Sequence, residues 1–159
     1  MTLKDLGRYK YRLQTAILDS EDVCETILGK DYNKEIVSEQ LMYKYIFPYL
    51  YVDETQTDTK SYICFEVDVP RTSNFSYKDM KIIVWCYSHK GIMNYKHTGY
   101  LGTRSDILSD MVDRLLNSSR NYGIGRLKLE SATYFMPSSK FYGRQLIYSC
   151  SEFNIDEKL

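Results

Sequence analysis

The stretch that decides the fold is KIIVWCYSH, residues 81–89. Apolar side chains occupy successive positions in it, so a strand of this sequence has two apolar faces and needs cover on both. It therefore predicts the central strand of a sheet. Upstream, SYICFEVDV (61–69) places its apolar residues from Ile63 to Val69 at alternate positions. That alternation predicts a neighbouring strand with one covered face, which Pro70 ends.

The residues after the central strand predict a helix and then a hairpin. Thr103 and Asp106 form a T-x-x-D helix start, and an apolar stripe follows from Ile107 to Leu116. This pattern is typical of an amphipathic helix packed on a sheet. Two strands, GRLKLESATYF (125–135) and FYGRQLIYSCSEF (141–153), are joined by the proline-containing MPSSK. That linker has the length of a hairpin loop.

The first 45 residues predict three helices. In the first helix, apolar residues recur at helical spacing. The second helix can be capped at its start by Ser20 or Asp19, and Gly29 lies where it should end. The third begins near Asn33 and is ended by Pro48. The order of elements predicts one α+β domain over residues 1–159, with a packed amphipathic helix on a mostly antiparallel sheet of about four to five strands. It divides into an N-terminal helical part (1–45), a core (46–153) and a polar tail (154–159).

Composition excludes some functions. Lys plus Arg and Asp plus Glu both number 21, so the chain lacks the basic excess usual in proteins that bind nucleic acid through its phosphates. Any contact with nucleic acid must be local or depend on repetition in an oligomer. The 16 tyrosines suit surfaces that become buried on assembly, although an AT-rich genome also favours tyrosine. The four cysteines lack metal-ligand spacing, which predicts buried, reduced thiols. Since no stretch reaches the roughly 20 apolar residues of a membrane span, we expect a soluble protein made in the cytoplasm.

Residues for catalysis are sparse. Only His89 and His97 are available as general bases, and the G-x-G at 123–125 precedes a strand instead of a helix. A metal-dependent hydrolase or nuclease would need Asp68, His89 and an acidic residue of the amphipathic helix that follows Thr103 to converge on one site. We expect instead a protein that has no catalytic, cofactor or metal site, and the hydrolase is the weaker alternative.

Long polar loops at 53–60, 70–80 and 90–103 surround the predicted core. Loops of this length in a small domain are commonly binding segments, although plain surface linkers share their composition. The candidate interface residues in and beside them are Asp53, Glu54, Thr55, Tyr95, Tyr100 and Arg104.

Several motifs follow one another along the chain. They are IFPY (46–49), the predicted strands 61–69 and 81–89, the second of which runs into HKG (89–91), then TRSDILSDMVDRLLN (103–117) and GIGRLKLES (123–131). Together with a helix start of the form G-x-R-x-D (102–106), this order resembles tail-terminator and neck, or head–tail joining, proteins of tailed bacteriophages and phage-tail-like particles. The resemblance covers about residues 40–153.

The resemblance implies a structural virion protein, assembled in the host cytoplasm. Such proteins form a ring, typically a homohexamer, on the last ring of the tail tube, stop its polymerisation and dock the neck or connector protein. In contractile tails they also meet the sheath protein, and DNA only passes through the lumen. Alternatives are another neck or head–tail adaptor component, a small dimeric intracellular binding or regulatory module, and the hydrolase above.

Overall fold

The computed structural model describes residues 3–53, 55–71, 77–122 and 124–153. Three 3₁₀ turns accompany the main elements, at 29–31, 34–36 and 90–92. The helices and strands, in chain order, are α1 (Lys4–Leu18), α2 (Glu21–Leu28), α3 (Val37–Leu41), β1 (Ile46–Phe47), β2 (Ser61–Arg71), β3 (Tyr77–His89), α4 (Arg104–Leu116), β4 (Ile124–Ser138) and β5 (Phe141–Phe153).

The five strands form one sheet in the order β1-β2-β3-β5-β4. β1 runs parallel to β2, and every other neighbouring pair is antiparallel. β3 therefore lies at the centre, as predicted, and β4 and β5 form the predicted hairpin. The α+β fold class and the mostly antiparallel sheet are confirmed.

Helices α1, α2 and α4 pack on one face of the sheet, because each buries one apolar stripe. Two predicted helix ends are confirmed: Ser20 accepts a hydrogen bond from Val23 N at 3.4 Å at the start of α2, and Gly29 ends it at φ 60°. The largest fully buried side chains on the helix face of the sheet and on the helices are Tyr148, Phe65, Leu13, Ile17, Leu41, Ile46, Ile63, Met80 and Ile82.

The opposite face of the sheet is covered at one end, which the alternation in 61–69 did not predict. Tyr62 and Cys64 are buried there with Tyr87 and Phe141, beneath the chain around Phe47. The prediction of a single covered face is therefore wrong for the first half of β2. Its cause is a long-range contact, since residues 46–52 fold back over this end of the sheet.

The predicted third helix is wrong in its extent. α3 ends at Leu41, well before Pro48, and Tyr43 takes a left-handed backbone at φ 61°. The chain turns because Ile46 and Phe47 pair with β2 instead of continuing the helix. Two residues of the predicted core are only half-buried: Leu115, in the apolar stripe of α4, and Trp85, in the strand that was predicted to be covered on both faces.

All four cysteines are free and buried, as predicted. Burial raises the pKa of Cys24 and of Cys86 to about 12. Within the described ranges, none of the helices has the length and hydropathy needed to cross a membrane.

Candidate assembly surfaces

The 90–103 loop is held to the body of the protein by two cation–aromatic contacts. The Arg104 guanidinium lies 3.9 Å from the centre of the Tyr95 ring and donates hydrogen bonds to the carbonyls of Ile92, at 2.7 Å, and Thr26, at 2.9 Å. Arg104 opens α4, so it ties the loop to both α4 and α2. A contact of this kind contributes on the order of 1 kcal/mol.

Tyr100 forms the second contact. Arg114 of α4 lies 4.2 Å from its ring centre while pairing with Asp110 at 3.0 Å, and the Tyr100 hydroxyl donates to Asp22 at 3.4 Å. Three of the predicted interface residues, Tyr95, Tyr100 and Arg104, are thus brought together, but their polar atoms are engaged within the chain. The loop's most exposed apolar side chain is Leu101, 93% exposed, which sequence reasoning did not single out.

A trio of possible metal ligands lies beside Tyr100. One ligand atom each from Asp22, Glu25 and His97 lie within 4.8 Å of one another, and His97 Nε2 is 3.7 Å from Asp22 Oδ1. The Asp22 carboxylate is already in contact with His97 and accepts a hydrogen bond from Tyr100. Nothing further in the described part of the chain points to a cation here. The hydrogen bond from Tyr100 to Asp22 and the proximity of His97 hold the loop near α2.

The 53–60 loop begins with a local turn. The Asp53 carboxylate accepts hydrogen bonds from the backbone N–H and hydroxyl of Thr55 at 2.9 and 2.8 Å. These bonds, chiefly the one from the backbone, lower the pKa of Asp53. Both side chains are exposed. Glu54, the third candidate in this loop, lies outside the described residues.

The alternative hydrolase site is not assembled. Asp68 pairs with Lys81 in register, and His89 lies eight residues further along β3, which is about 26 Å away in a strand. His89 Nδ1 accepts a hydrogen bond from Gly91 N at 2.9 Å. Asp106 and Asp113, the helix acids that this site could use, instead accept hydrogen bonds from Arg144 at 3.1 Å and from the Tyr148 hydroxyl at 2.8 Å.

An aromatic cluster fills the covered end of the open sheet face. Phe47 stacks on Tyr51 at 4.2 Å between ring centres, and Tyr62 stacks on Tyr87 at 5.3 Å. The Tyr87 hydroxyl donates to the carbonyl of Tyr51, and burial raises the pKa of Tyr87. The cluster fixes the chain around residues 47–51 against the sheet. Within and just after this stretch, the side chains of Tyr49, Leu50 and Val52 are exposed, while Tyr51 packs on the cluster.

Two exposed apolar patches lie at opposite ends of the strand order. The first, which we call the 49–52 segment, follows β1 and exposes Tyr49, Leu50 and Val52, with the 63% exposed Tyr43 nearby. This segment passes from the end of β1 onto the open face of the sheet, where the Tyr51 ring stacks on Phe47 and the Tyr51 carbonyl accepts from Tyr87. The second, the β4 edge (131–136), exposes Tyr134 at 69% and Met136 at 49%. Neither was predicted, although SATYFM (131–136) is readable as six consecutive uncharged residues.

The end of β1 and the β4 edge lie at the same level of the sheet. Following the register across it, Phe47 pairs with Cys64, Cys64 with Trp85, Trp85 with Gln145, and Gln145 with Thr133. A line along the hydrogen-bonding direction of the sheet therefore joins Phe47, where the chain leaves β1, to Thr133 within the β4 edge.

The fold is that of a small α+β protein, and its exposed apolar side chains include those of the 49–52 segment and the β4 edge as well as Leu3, Tyr11, Ile36 and Leu101. The sequence model of the YomW family matches residues 20–150, and the chain belongs to that family. The family name indicates a phage-associated protein. No curated protein matches the chain.

Proposed function

We propose that this protein is a structural component of a phage-type tail, which forms a ring at the head-proximal end of the tail tube, ends tube polymerisation and joins the tail to the neck or connector. The observation that supports the proposal is a pair of unlike exposed apolar patches at the two ends of the strand order, the 49–52 segment beyond β1 and the uncharged β4 edge. The phage association of the family is consistent with it.

The physical argument starts from how copies of one chain close on themselves. A head-to-tail interface uses two different patches of one subunit, and it closes into a ring only when each step adds rotation without a rise. Patches offset along the strands would add a rise at every contact and favour a filament. Phe47 at the end of β1 and Thr133 of the β4 edge are at one level. A contact between the β1 side of one copy and the β4 edge of the next would therefore add little rise, which is the condition for a closed ring.

The ring leaves other surfaces for the tube and the connector. The 53–60 loop and Leu101 of the 90–103 loop are exposed, and neither belongs to the two apolar patches. We propose that these loops contact the partner proteins. The formal net charge of zero suits a lumen through which DNA passes without being held.

The test measures assembly in solution and on tubes. Mass photometry and negative-stain imaging should show rings, with a mass near six times 18.8 kDa for a hexamer. Added to growing tail tubes, the protein should cap one end and stop elongation. A chain that stays monomeric at high concentration, and neither caps nor binds tubes, would contradict the proposal. A stable dimer without tube binding would favour the regulatory module instead.

A loop variant separates partner docking from ring formation. Asp53→Lys should weaken tube or connector binding while leaving the far-ultraviolet circular dichroism spectrum unchanged, because Asp53 is exposed and bonded only within its own loop. Lys34→Glu, on an exposed helical turn elsewhere, is the control for reversing a surface charge. Unchanged binding by Asp53→Lys would remove this loop from the interface.

A further inference from the structure

We propose that a cavity between α1 and the turn at 118–122, just before β4, binds a nucleotide, with its phosphate on two arginines and its base on a tyrosine ring. The cavity has a volume of about 640 Å³, which is within the usual range for sites that hold small organic ligands. Such a site goes beyond the proposed place in a tail and does not depend on ring formation. The sequence did not indicate it, because Arg12 and Asn121, which meet there, are 109 residues apart in the chain.

One wall of the cavity is the side of α1 next to its buried stripe. Tyr9 belongs to that stripe, and Arg12 follows three residues later on the same side of the helix. The Arg12 guanidinium lies 5.4 Å from the centre of the Tyr9 ring, within the range of a cation–aromatic contact. Tyr11 and Thr15, one turn apart, are the exposed residues of this wall, and the Thr15 hydroxyl donates to Tyr11 O at 2.9 Å. The Tyr11 ring is therefore left to solvent and to a ligand.

The opposite wall is the 118–122 turn, which hydrogen bonds to β4 and β5 hold in place. Ser118 N donates to Leu127 O at 2.8 Å, and the Cys150 thiol donates to Tyr122 O at 2.8 Å. The Tyr122 side chain is buried, with its ring centre 6.3 Å from that of Tyr9. These two buried rings form the floor of the cavity. Both walls are thus fixed without a ligand, and a preformed site loses little entropy when it binds.

The two arginines give the cavity a positive charge that no acidic residue of its lining balances. Arg12 Nη1 donates to Asn121 O at 2.7 Å, which joins the two walls and uses one of the five N–H groups of the guanidinium. Arg120 forms no hydrogen bond or ion pair with the part of the chain that the structure describes. Burial raises the pKa of the Tyr122 phenol, so the floor of the cavity stays uncharged at neutral pH. The cavity therefore selects an anion.

A phosphate that is attached to a flat aromatic group fits this combination of side chains. A guanidinium presents its N–H groups in a planar fork that matches phosphate oxygens. The Tyr11 ring, 68% exposed, offers a face on which a base can stack. Inorganic phosphate or an acidic side chain would occupy the arginines and leave this ring uncovered. The ligand is therefore a nucleotide, either free or within a single strand, and the contact is local, as the zero net charge of the chain requires.

Isothermal titration calorimetry of the whole chain tests the site, with AMP, inorganic phosphate and a single-stranded hexamer of deoxyadenylate as the probes. We expect AMP to bind at least about tenfold more tightly than inorganic phosphate, because stacking on Tyr11 adds to the arginine contacts. Tighter binding of the hexamer than of AMP would assign the site to a strand, and weaker binding would assign it to a free nucleotide. Both results support the site, whereas binding of neither nucleotide probe would overturn it.

Arginine variants test the phosphate contacts. Arg120→Gln should weaken AMP binding at least about tenfold, with an unchanged circular dichroism spectrum, because Arg120 has no partner among the described residues. Arg120→Lys keeps the charge but loses the planar fork, so it should restore only part of the affinity. Lys34→Gln removes an exposed cation that does not line the cavity, and it should change the affinity by less than about twofold. Equal affinities for Arg120→Gln and Lys34→Gln would overturn the inference.

A tyrosine variant separates a nucleotide site from a plain anion site. Tyr11→Ala should weaken AMP binding roughly tenfold and leave the binding of inorganic phosphate unchanged, since only the base uses the ring. An equal effect on both probes, or AMP that binds no better than inorganic phosphate, would overturn the nucleotide as the ligand. The same samples measured by mass photometry keep the two proposals apart. A ring that binds no nucleotide would contradict this site alone, and a monomer that binds AMP would contradict the proposed ring alone.

Discussion

Replacing Asp106 with Asn tests how α4 is fixed to the sheet. Thr103 caps the helix: its hydroxyl accepts a hydrogen bond from Asp106 N at 3.2 Å, while Asp106 Oδ2 accepts from Thr103 N at 3.2 Å. The other carboxylate oxygen accepts from Arg144 Nε of β5 at 3.1 Å. One side chain thus joins the start of α4 to the neighbouring strand.

The expected loss follows from these contacts. A capping bond contributes about 1 kcal/mol, and a half-exposed ion pair roughly 0.2–1 kcal/mol. Asp106→Asn keeps an oxygen for the cap but loses the charge that faces Arg144 and the positive end of the helix dipole, so we expect a loss of about 1 kcal/mol. Asp106→Ala removes both contacts and should lower the free energy of unfolding by about 2 kcal/mol.

Acid should abolish the difference between the Asn variant and the parent. Burial alone would raise the pKa of Asp106, but hydrogen bonds from Thr103 and Arg144 outweigh it and lower the pKa. A carboxyl whose pKa is lower in the folded state stabilises the fold above its unfolded pKa of about 3.9. This contribution is lost as the pH falls from there through the folded pKa.

Urea unfolding at a series of pH values, followed by circular dichroism, measures this directly. The free-energy difference between parent and Asp106→Asn should be full at pH 6 and shrink below about pH 4. Asp110→Asn is the control: its pair with Arg114 is exposed on the same helix, so its loss should stay within about 0.5 kcal/mol. The reasoning would be refuted if Asp106→Asn lowered the free energy of unfolding no more than Asp110→Asn does, or if its effect did not change with pH.

Three further predictions concern the core. Gly143→Ala should destabilise the fold by at least about 3 kcal/mol in urea unfolding, because the added Cβ would lie 2.5 Å from Tyr87 Cα. Its control is Gly7→Ala in α1, where the added Cβ meets no atom within 4 Å and should stabilise the fold by about 0.5–1 kcal/mol. Equal changes in the free energy of unfolding would contradict the close approach at Gly143. Tyr87→Phe should lose about 1 kcal/mol with the hydroxyl bond to Tyr51 O, and an unchanged midpoint would argue against that bond. The four cysteines should react with a thiol reagent only after unfolding, and rapid labelling of the native chain would disprove their burial.

Local signals in the sequence were enough to predict α4 and the hairpin. The start of α4 is encoded within four residues, Thr103 to Asp106, and its stripe lies at helical spacing. The hairpin depends on neighbouring strands, β4 and β5, joined by a short turn. Both features are decided by residues close together in the chain, which is where pattern reasoning is strongest.

The errors arose where distant segments meet. Cys64 and Tyr62 occupy the outward positions of an alternating strand, and nothing local indicates that Phe47 and Tyr51 will cover them. The same contact shortened α3, because Ile46 pairs with β2 and the helix has to end before it. A tertiary interaction overrides the local preference in each case, so neither feature was accessible from one stretch of sequence.

The candidate interface residues show why composition is a poor guide to a surface. Tyr95 and Tyr100 were selected as tyrosines in a polar loop, and they bind arginines of their own chain. Tyr87 is fully buried, whereas Tyr134 is one of the most exposed aromatic side chains among those described. The presence of a tyrosine at a position therefore does not tell whether its side chain is buried, bound to an arginine of the same chain or exposed. The uncharged run at 131–136 was the more informative signal, because an edge strand without charge needs cover.

The two ends of the strand order also bear on what the proposed assembly is for. If the β4 edge paired with itself, a two-fold axis would relate the copies and their exposed loops would point in opposite directions. A head-to-tail contact between the β4 edge and a different surface would instead give every copy the same orientation, so the proposed ring would have two different faces. A component that meets a tube on one side and a connector on the other needs this polarity. The proposed place at the end of a tail therefore predicts that the β4 edge of one copy does not pair with the β4 edge of another.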